Sequence, residues 1–405
     1  MKASAFQSIG EIKKTVNKWL LLDDQVVVEV IAAALLANLL EGDPLWIFIN
    51  GPPSSAKTEL LRALAGHDKV YLLSSLTPST LISGQKPKRG KDPSLLLELN
   101  DKVLVLKDFT TILTMRHETR QEILSQLREI YDGKYTKAFG TGKTIDWEGK
   151  VGFISGVTPY IDKCHGVNQM LGERFLMYRV DEDLDPTMVA LAAAQKAGQE
   201  KQMREELRDA FGSYLKQFDE TWQPRFKADN DLEHKIACLA TFCARARTAV
   251  SRDRWTREVD ILPKAEGPAR LVKQLTMLSY GMRMLNGPDH INDDLENVYG
   301  ILRRIGASTL PSIRAKILRA MYEQGVVEGN TSYDSPWEKT KVISEETDLP
   351  TVTVRLLLED LTAIRMVNRR LDTDSKDNVT STTPHVWQLS RLAAQLIKES
   401  QVFEP

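Results

Sequence analysis

The chain has 405 residues, of which 42% are hydrophobic and 27% charged, and its formal net charge is −1. This length accommodates two or three domains, the composition is that of an ordinary globular protein, and the charge balance excludes a polyanion binder by bulk charge, so any nucleic-acid contact needs a local patch. The three cysteines, Cys164, Cys238 and Cys243, form no CxxC pair and no His cluster accompanies them, so buried thiols in a reducing cytosol are expected rather than a zinc site.

Residues 1–40 read as a helical segment. Residues 1–18 lack the basic start, apolar run and small-residue cleavage site of a signal peptide, and a cytoplasmic location is expected. Residues 26–40 (VVVEVIAAALLANLL) are highly apolar but carry Glu29 and Asn38 and are shorter than a bilayer span of about 20 residues. A buried core helix, with Asp23 and Asp24 at its N-terminal side, is the expectation, with no membrane partner.

The run 45–50 (LWIFIN) is aromatic and β-branched and ends at Gly and Pro, the pattern of a buried strand entering a tight loop. The loop itself, Gly51, Pro52, Pro53, Ser54, Ser55, Ala56, Lys57 and Thr58, matches G-x-x-x-x-G-K-[ST] with Ala56 in place of the second Gly. Such a loop turns backbone N–H groups toward phosphates, places a Lys on the β/γ oxygens and a hydroxyl on Mg²⁺. A small side chain at 56 leaves room for the phosphates. The predicted cofactors are therefore ATP and Mg²⁺.

Further strands are expected at 70–74 (VYLLS), 103–106 (VLVL) and 151–157 (VGFISGV), with helices at 60–65 and 118–132 and a loop at 77–90. Strand–helix alternation implies a parallel sheet covered on both faces. Asp108, following VLVLK, is the expected second Mg²⁺ ligand. Phe109 stands where a catalytic Glu often follows, so the base for water is not identified; Glu118, Glu122 and Glu129 lie downstream. Residues 133–150 alternate around Gly140 and Gly142, a β-hairpin pattern. Its Lys134, Lys137 and Lys143, with Tyr135, Phe139 and Trp147, make either a nucleic-acid-gripping element or a solvated hairpin.

From Asp185-Pro186 the character changes, and 191–283 reads as almost wholly helical up to a turn at 286–288. In 312–398 an amphipathic helix at 313–322, a second at 339–347 and a third capped by Thr351 are followed by strands at 366–372 and 385–389.

These motifs together resemble an AAA+ ATPase, and within that class the branch with a hairpin before the sensor-1 strand, which includes MCM-like and mobile-element or phage helicases. The resemblance covers about residues 41–286. It implies that Lys57 and Thr58 are the Walker A pair, Asp108 the Walker B Asp, Thr158 the sensor-1 residue and Arg174, in 171–175 (LGERF), an arginine finger acting in trans; a structural ion pair is the other reading of Arg174. Arg270, in 267–271 (GPARL), resembles sensor 2 or serves a structural role. The C-terminal order resembles a winged helix-turn-helix, with Thr351, Thr353, Arg355, Arg365, Arg369 and Arg370 placed for DNA, while Glu359 and Asp360 dilute the charge; such modules also dock proteins.

The expected architecture is thus α/β: an N-terminal helical segment 1–40, a P-loop parallel-sheet (AAA+) core 41–186, a helical lid 187–305 and a winged helix-turn-helix 306–405. The expected function is an oligomeric ATPase, a hexameric ring or spiral, driving DNA unwinding, translocation or replication initiation with a replication or mobile-element partner. The alternative is a nucleotide-gated switch or loader that assembles on a protein partner. No segment resembles the DNA-binding domain that cellular MCM proteins carry ahead of their ATPase.

Overall fold

The computed structural model describes residues 6–85, 92–164, 174–181, 184–218, 224–328, 336–372 and 383–404. They fall into two compact units, 1–228 with 276–301 and 229–275 with 302–405. The segments 1–40 and 41–186 belong to one unit, and the stretch 187–305, expected as a single lid, is shared between both.

The first unit opens with α1 (Ile9–Trp19) and α2 (Val26–Leu39) and continues through β1 (Trp46–Asn50), α3 (Lys57–Ala63), β2 (Val70–Leu73), α4 (Pro78–Leu81), β3 (Lys102–Leu106), α5 (Thr110–Leu113) and α6 (His117–Tyr131). The hairpin β4 (Lys134–Ala138) and β5 (Thr144–Glu148), then β6 (Val151–Val157), β7 (Leu176–Arg179), α7 (Pro186–Gln195) and α8 (Glu200–Leu215) follow. Five strands form one sheet in the order β2-β3-β6-β1-β7, every pair parallel. The strand expectations are met at β1, β2, β3, β6 and the hairpin. β7 was not expected: LMYR is only four residues and has no alternation to announce it.

Sheet alternation decides the two faces. Trp46, Phe48, Leu104, Leu106, Phe153 and Met177 point into one core, closed by α4, α5, α6 and the hairpin. The rings of Phe48 and Phe175 stack there at 3.9 Å. The other face is covered by α2, which packs on β1, β3 and β6, and by α3. Ten residues of α2 are buried, as its all-round apolar sequence requires. No helix among the described residues is long and apolar enough to cross a membrane.

The chain then runs through α9 (Asn230–Ala246), α10 (Ala269–Met284) and α11 (Leu295–Ser308), with the unit boundary falling inside the last two. Almost wholly helical structure was expected over 191–283, but 247–268 is irregular, with one bridge between Arg252 and Val259. Pro263, Gly267 and Pro268 account for this, since proline has no backbone donor and excludes helix from the residue before it. Within the first unit α10 reaches α2 so closely that a Cβ on Gly281 would lie 2.1 Å from the Ala33 carbonyl oxygen.

The second unit adds α12 (Ser312–Glu323), β8 (Glu338–Lys339), α13 (Thr340–Thr347), α14 (Thr351–Ala363), β9 (Val367–Leu371), β10 (His385–Leu389) and α15 (Arg391–Ser400). β10 lies between β8 and β9, antiparallel to both. Val354, Leu358 and Leu361 bury one face of α14, as the spacing predicts, whereas Leu357 is half-buried. Pro350, not Thr351, occupies the N-cap; Thr351 is the first helical residue, its Oγ1 lying 3.0 Å from Ser344 Oγ. The turn expected between β9 and β10 lies mostly outside the described residues.

Candidate functional site

Loop 51–58 leaves the carboxyl end of β1 and enters α3 directly. β1 is also where the sheet changes direction: the chain passes from it to β2, β3 and β6 on one side and returns to β7 on the other. Parallel sheets open a crevice at the carboxyl ends of strands at such a point. Here a cavity of about 640 Å³ opens, within the range of small-molecule sites. Ser54, Ser55, Ala56, Lys57 and Thr58 line one wall.

The loop backbone is constrained. Ser54 and Ala56 have φ of +70° and +56°, in the left-handed region that L residues avoid. Ala56 therefore adopts the conformation for which the motif's usual Gly is suited. Ala56→Gly is expected to keep nucleotide binding and leave stability unchanged or raised by up to about 1 kcal/mol. Ala56→Val, β-branched at positive φ, lowers the melting temperature and nucleotide affinity together; thermal melts with and without ATP measure both. Lys57 is buried, and its ammonium donates to Gly51 O at 2.7 Å, to Ser55 Oγ at 2.6 Å and to Pro52 O. The loop thus holds its cation in place from within, and Thr58 leaves its hydroxyl at the exposed cavity wall.

Asp108 and Thr158 follow β3 and β6 and so lie at this same carboxyl edge. Asp108 Oδ1 accepts the Thr110 N–H at 2.8 Å. Thr158 N–H donates to Thr110 Oγ1 at 3.1 Å, and the two hydroxyls are 3.2 Å apart. Thr110 therefore joins the two expected residues; only the pairing of β3 with β6 reveals it. Phe109 N–H is tied to Gly156 O, and its ring is fully buried against Phe48, Phe153 and Phe175. Phe109→Glu is expected to lower stability by more than about 3 kcal/mol without adding a general base, because it removes the ring and buries a charge in that core; denaturant unfolding checks this. Glu118 is exposed, and Glu122 and Glu129 pair with Lys137 and Arg128.

The opposite wall was not legible in sequence. It consists of residues 19–24, of Val180 and Asp181 after β7, and of α7 and α8 residues such as Val189, Ala193 and Met203. Buried Asp24 accepts the Tyr178 hydroxyl at 2.8 Å and anchors this segment to β7. Glu206 accepts from Trp19 Nε1 at 2.8 Å and from Lys18 and Gln202, and Lys18 foremost among these donors lowers its carboxyl to about 2. Backbone N–H groups at Glu200 and Gly198 hold the Glu200 carboxyl, on the cavity wall, below its usual range.

Arg174 precedes β7 and so sits at the amino edge of the sheet, away from its own cavity. It is buried, pairs with Asp132 at 2.6 Å and lies over the Tyr131 ring. Leu171, Gly172 and Glu173 of its motif lie outside the described residues. Arg270 is in the first turn of α10, in the second unit.

The hairpin differs from a gripping element. Tyr135 and Trp147 are buried in the sheet core, because strand alternation turns them inward. Lys143 is spent on Asp92 at 2.8 Å and on Ser83 O, and Thr141 Oγ1 donates to Gly84 O. Lys137 pairs with Glu122, Phe139 packs against Gly84, and Lys134 remains exposed.

In the second unit Asp360 does not dilute surface charge. It is buried between Arg252 (2.7 Å) and Arg314 (3.2 Å), and Glu359 pairs with both Arg252 and Arg355. Thr351, Val352, Arg355, Arg365 and Arg369 are exposed and Thr353 is half-buried, while Arg370 lies over the Trp337 ring.

Comparison with protein-family models and with curated proteins gives no match to this chain.

Proposed function

We propose that the chain is an oligomeric AAA+ ATPase that binds Mg²⁺–ATP in loop 51–58 and acts on DNA. One observation carries this reading: a G-x-x-x-x-A-K-T loop with residue 56 left-handed joins a central parallel strand to a helix and opens on a cavity of about 640 Å³. Loop N–H groups and the Lys57 ammonium neutralise the β- and γ-phosphate oxygens. The Thr58 hydroxyl and the Asp108 carboxylate offer the hard oxygen ligands that Mg²⁺ prefers, and the ion would supply charge neutralisation on the phosphates. Thr158, held beside Asp108 through Thr110, senses the γ-phosphate. The wall formed by 19–24, Val189 and Met203 supplies apolar surface for the base.

Arg174 acts on the nucleotide of a neighbouring copy, in a ring or spiral such as a hexamer. Its place at the amino edge of the sheet puts its own cavity out of reach, and the role in trans requires its buried pair with Asp132 to open. Residues 312–389, three helices with a three-stranded antiparallel sheet, support a winged helix, with Thr351 and Arg355 on the exposed face of α14 as DNA contacts and Arg365 and Arg369 as phosphate contacts. Burial of Asp360 removes one repulsive charge from that face.

ATP hydrolysis with and without single- and double-stranded DNA tests the proposal, with Lys57→Ala as the blank. DNA-stimulated turnover lost in that variant is the expected result. A second reading, a nucleotide-gated switch or loader, is favoured by the buried Phe109 ring where a base would stand. ATP-dependent assembly without turnover would select it.

A further inference from the structure

We propose that His234, Cys238 and Glu399 form a binding site for a zinc-class divalent cation in the second unit. His234 and Cys238 are four residues apart on α9, and that spacing puts both side chains on one helix face. Glu399, in the last turn of α15, faces them. Cys238 Sγ lies 3.6 Å from His234 Nε2 and 3.1 Å from Glu399 Oε2, and His234 Nε2 lies 3.3 Å from that same oxygen.

Those separations can be compared with what a metal requires. Zinc bonds of about 2.3 Å to sulfur and about 2.0–2.1 Å to nitrogen and oxygen, at tetrahedral angles, put neighbouring ligand atoms roughly 3.3–3.6 Å apart. The S–N and N–O edges already have these lengths. The S–O edge is about 0.4 Å short of the tetrahedral value, because without a metal the thiol donates a hydrogen bond to the carboxylate. Binding breaks that S–H bond, releases the proton to solvent and forms the S–metal bond.

The surroundings hold this geometry. Gln395 Nε2 donates to Glu399 Oε1 at 2.8 Å, which leaves Oε2 directed at the other two ligands, as outer-shell partners of metal ligands do. The two helices are capped by Asp229 and Ser390 and locked by Phe242 against Phe403. Cys238 is buried while His234 is exposed, so three ligands are fixed and solvent reaches a fourth position. A thiolate, an imidazole and one carboxylate select zinc or cobalt over magnesium or calcium.

The test uses the full chain, stripped with chelator and titrated with Co²⁺, then with Zn²⁺ as competitor. One equivalent of Co²⁺ with a thiolate-to-cobalt absorption band, displaced by Zn²⁺, is the expected result. The band disappears in Cys238→Ser and in His234→Ala, persists in Cys243→Ser, and Gln395→Ala weakens binding about 10–100-fold. Circular dichroism confirms that each variant is folded, and Glu399→Gln serves if Cys238→Ser is not. Absence of the band in the wild-type chain, or its persistence in Cys238→Ser, overturns the site and leaves a hydrogen-bonded trio.

Discussion

Lys57→Ala is expected to weaken ATP binding between about 10- and 150-fold, the loss of a hydrogen bond to a charged group worth about 1.5–3 kcal/mol. Any turnover should fall further, by about 100-fold or more, because charge on the transferred phosphoryl group goes unneutralised. The structure separates this from unfolding. The ammonium donates to Gly51 O, Pro52 O and Ser55 Oγ of its own loop, bonds that tie the loop together and not the strands of the sheet. A melting temperature within a few degrees of wild type, with affinity lost in titration calorimetry, is the expected pair of results. Lys57→Arg should fail as well, since a planar guanidinium cannot take the place of a compact ammonium in that cradle. Unchanged affinity in Lys57→Ala would remove loop 51–58 as the nucleotide site.

The second large effect is structural. Asp360→Ala is expected to destabilise the second unit by about 3–5 kcal/mol, because it leaves buried cations without their counter-charge. Arg314 is 7% exposed and also donates to the carbonyls of Ala246 and Thr248, so it cannot turn to water without breaking those bonds. Burial, with a smaller contribution from Arg252, holds the Arg314 guanidinium below its ordinary range, and the Asp360 carboxylate offsets only part of that. At about 2–4 °C per kcal/mol for a unit of this size, the melting transition should fall by roughly 6–20 °C. Arg355→Ala, which removes an exposed pair with Glu359, should cost about 1 kcal/mol or less. The double change Asp360→Leu with Arg314→Met should recover part of the loss, since an apolar pair replaces one buried ion pair while Arg252 keeps only Glu359 as its counter-charge. Equal melting temperatures for Asp360→Ala and Arg355→Ala would refute the buried-network account.

The sequence alone determined those features whose cause is local. The apolar runs LWIFIN and VGFISGV could only be buried strands, and each appears within a residue of its expected bounds. The loop between β1 and α3 was legible because its chemistry lies in eight consecutive residues. The buried character of α2 followed from an apolar surface with no polar face. Where the sequence misled, a short-range signal was outweighed by composition: Pro263, Gly267 and Pro268 argued against helix in 247–268, but the surrounding Ala, Leu and Arg suggested one.

Tertiary structure decided everything that depends on remote residues meeting. Residues 19–24 form a cavity wall because the Tyr178 hydroxyl, on a strand too short to recognise, holds Asp24. Thr110 links Asp108 to Thr158 only because β3 and β6 pair in register. Of the hairpin aromatics, open to bases or to solvent in the sequence reading, Tyr135 and Trp147 are buried, and Asp360 read as solvated charge but sits between two arginines. In each case the side chain's type and neighbours in sequence were the same for both outcomes. Backbone periodicity dictates which face of an element a residue occupies, whereas what covers that face depends on chain segments up to about a hundred residues or more away, whose approach is decided by burial of the whole core.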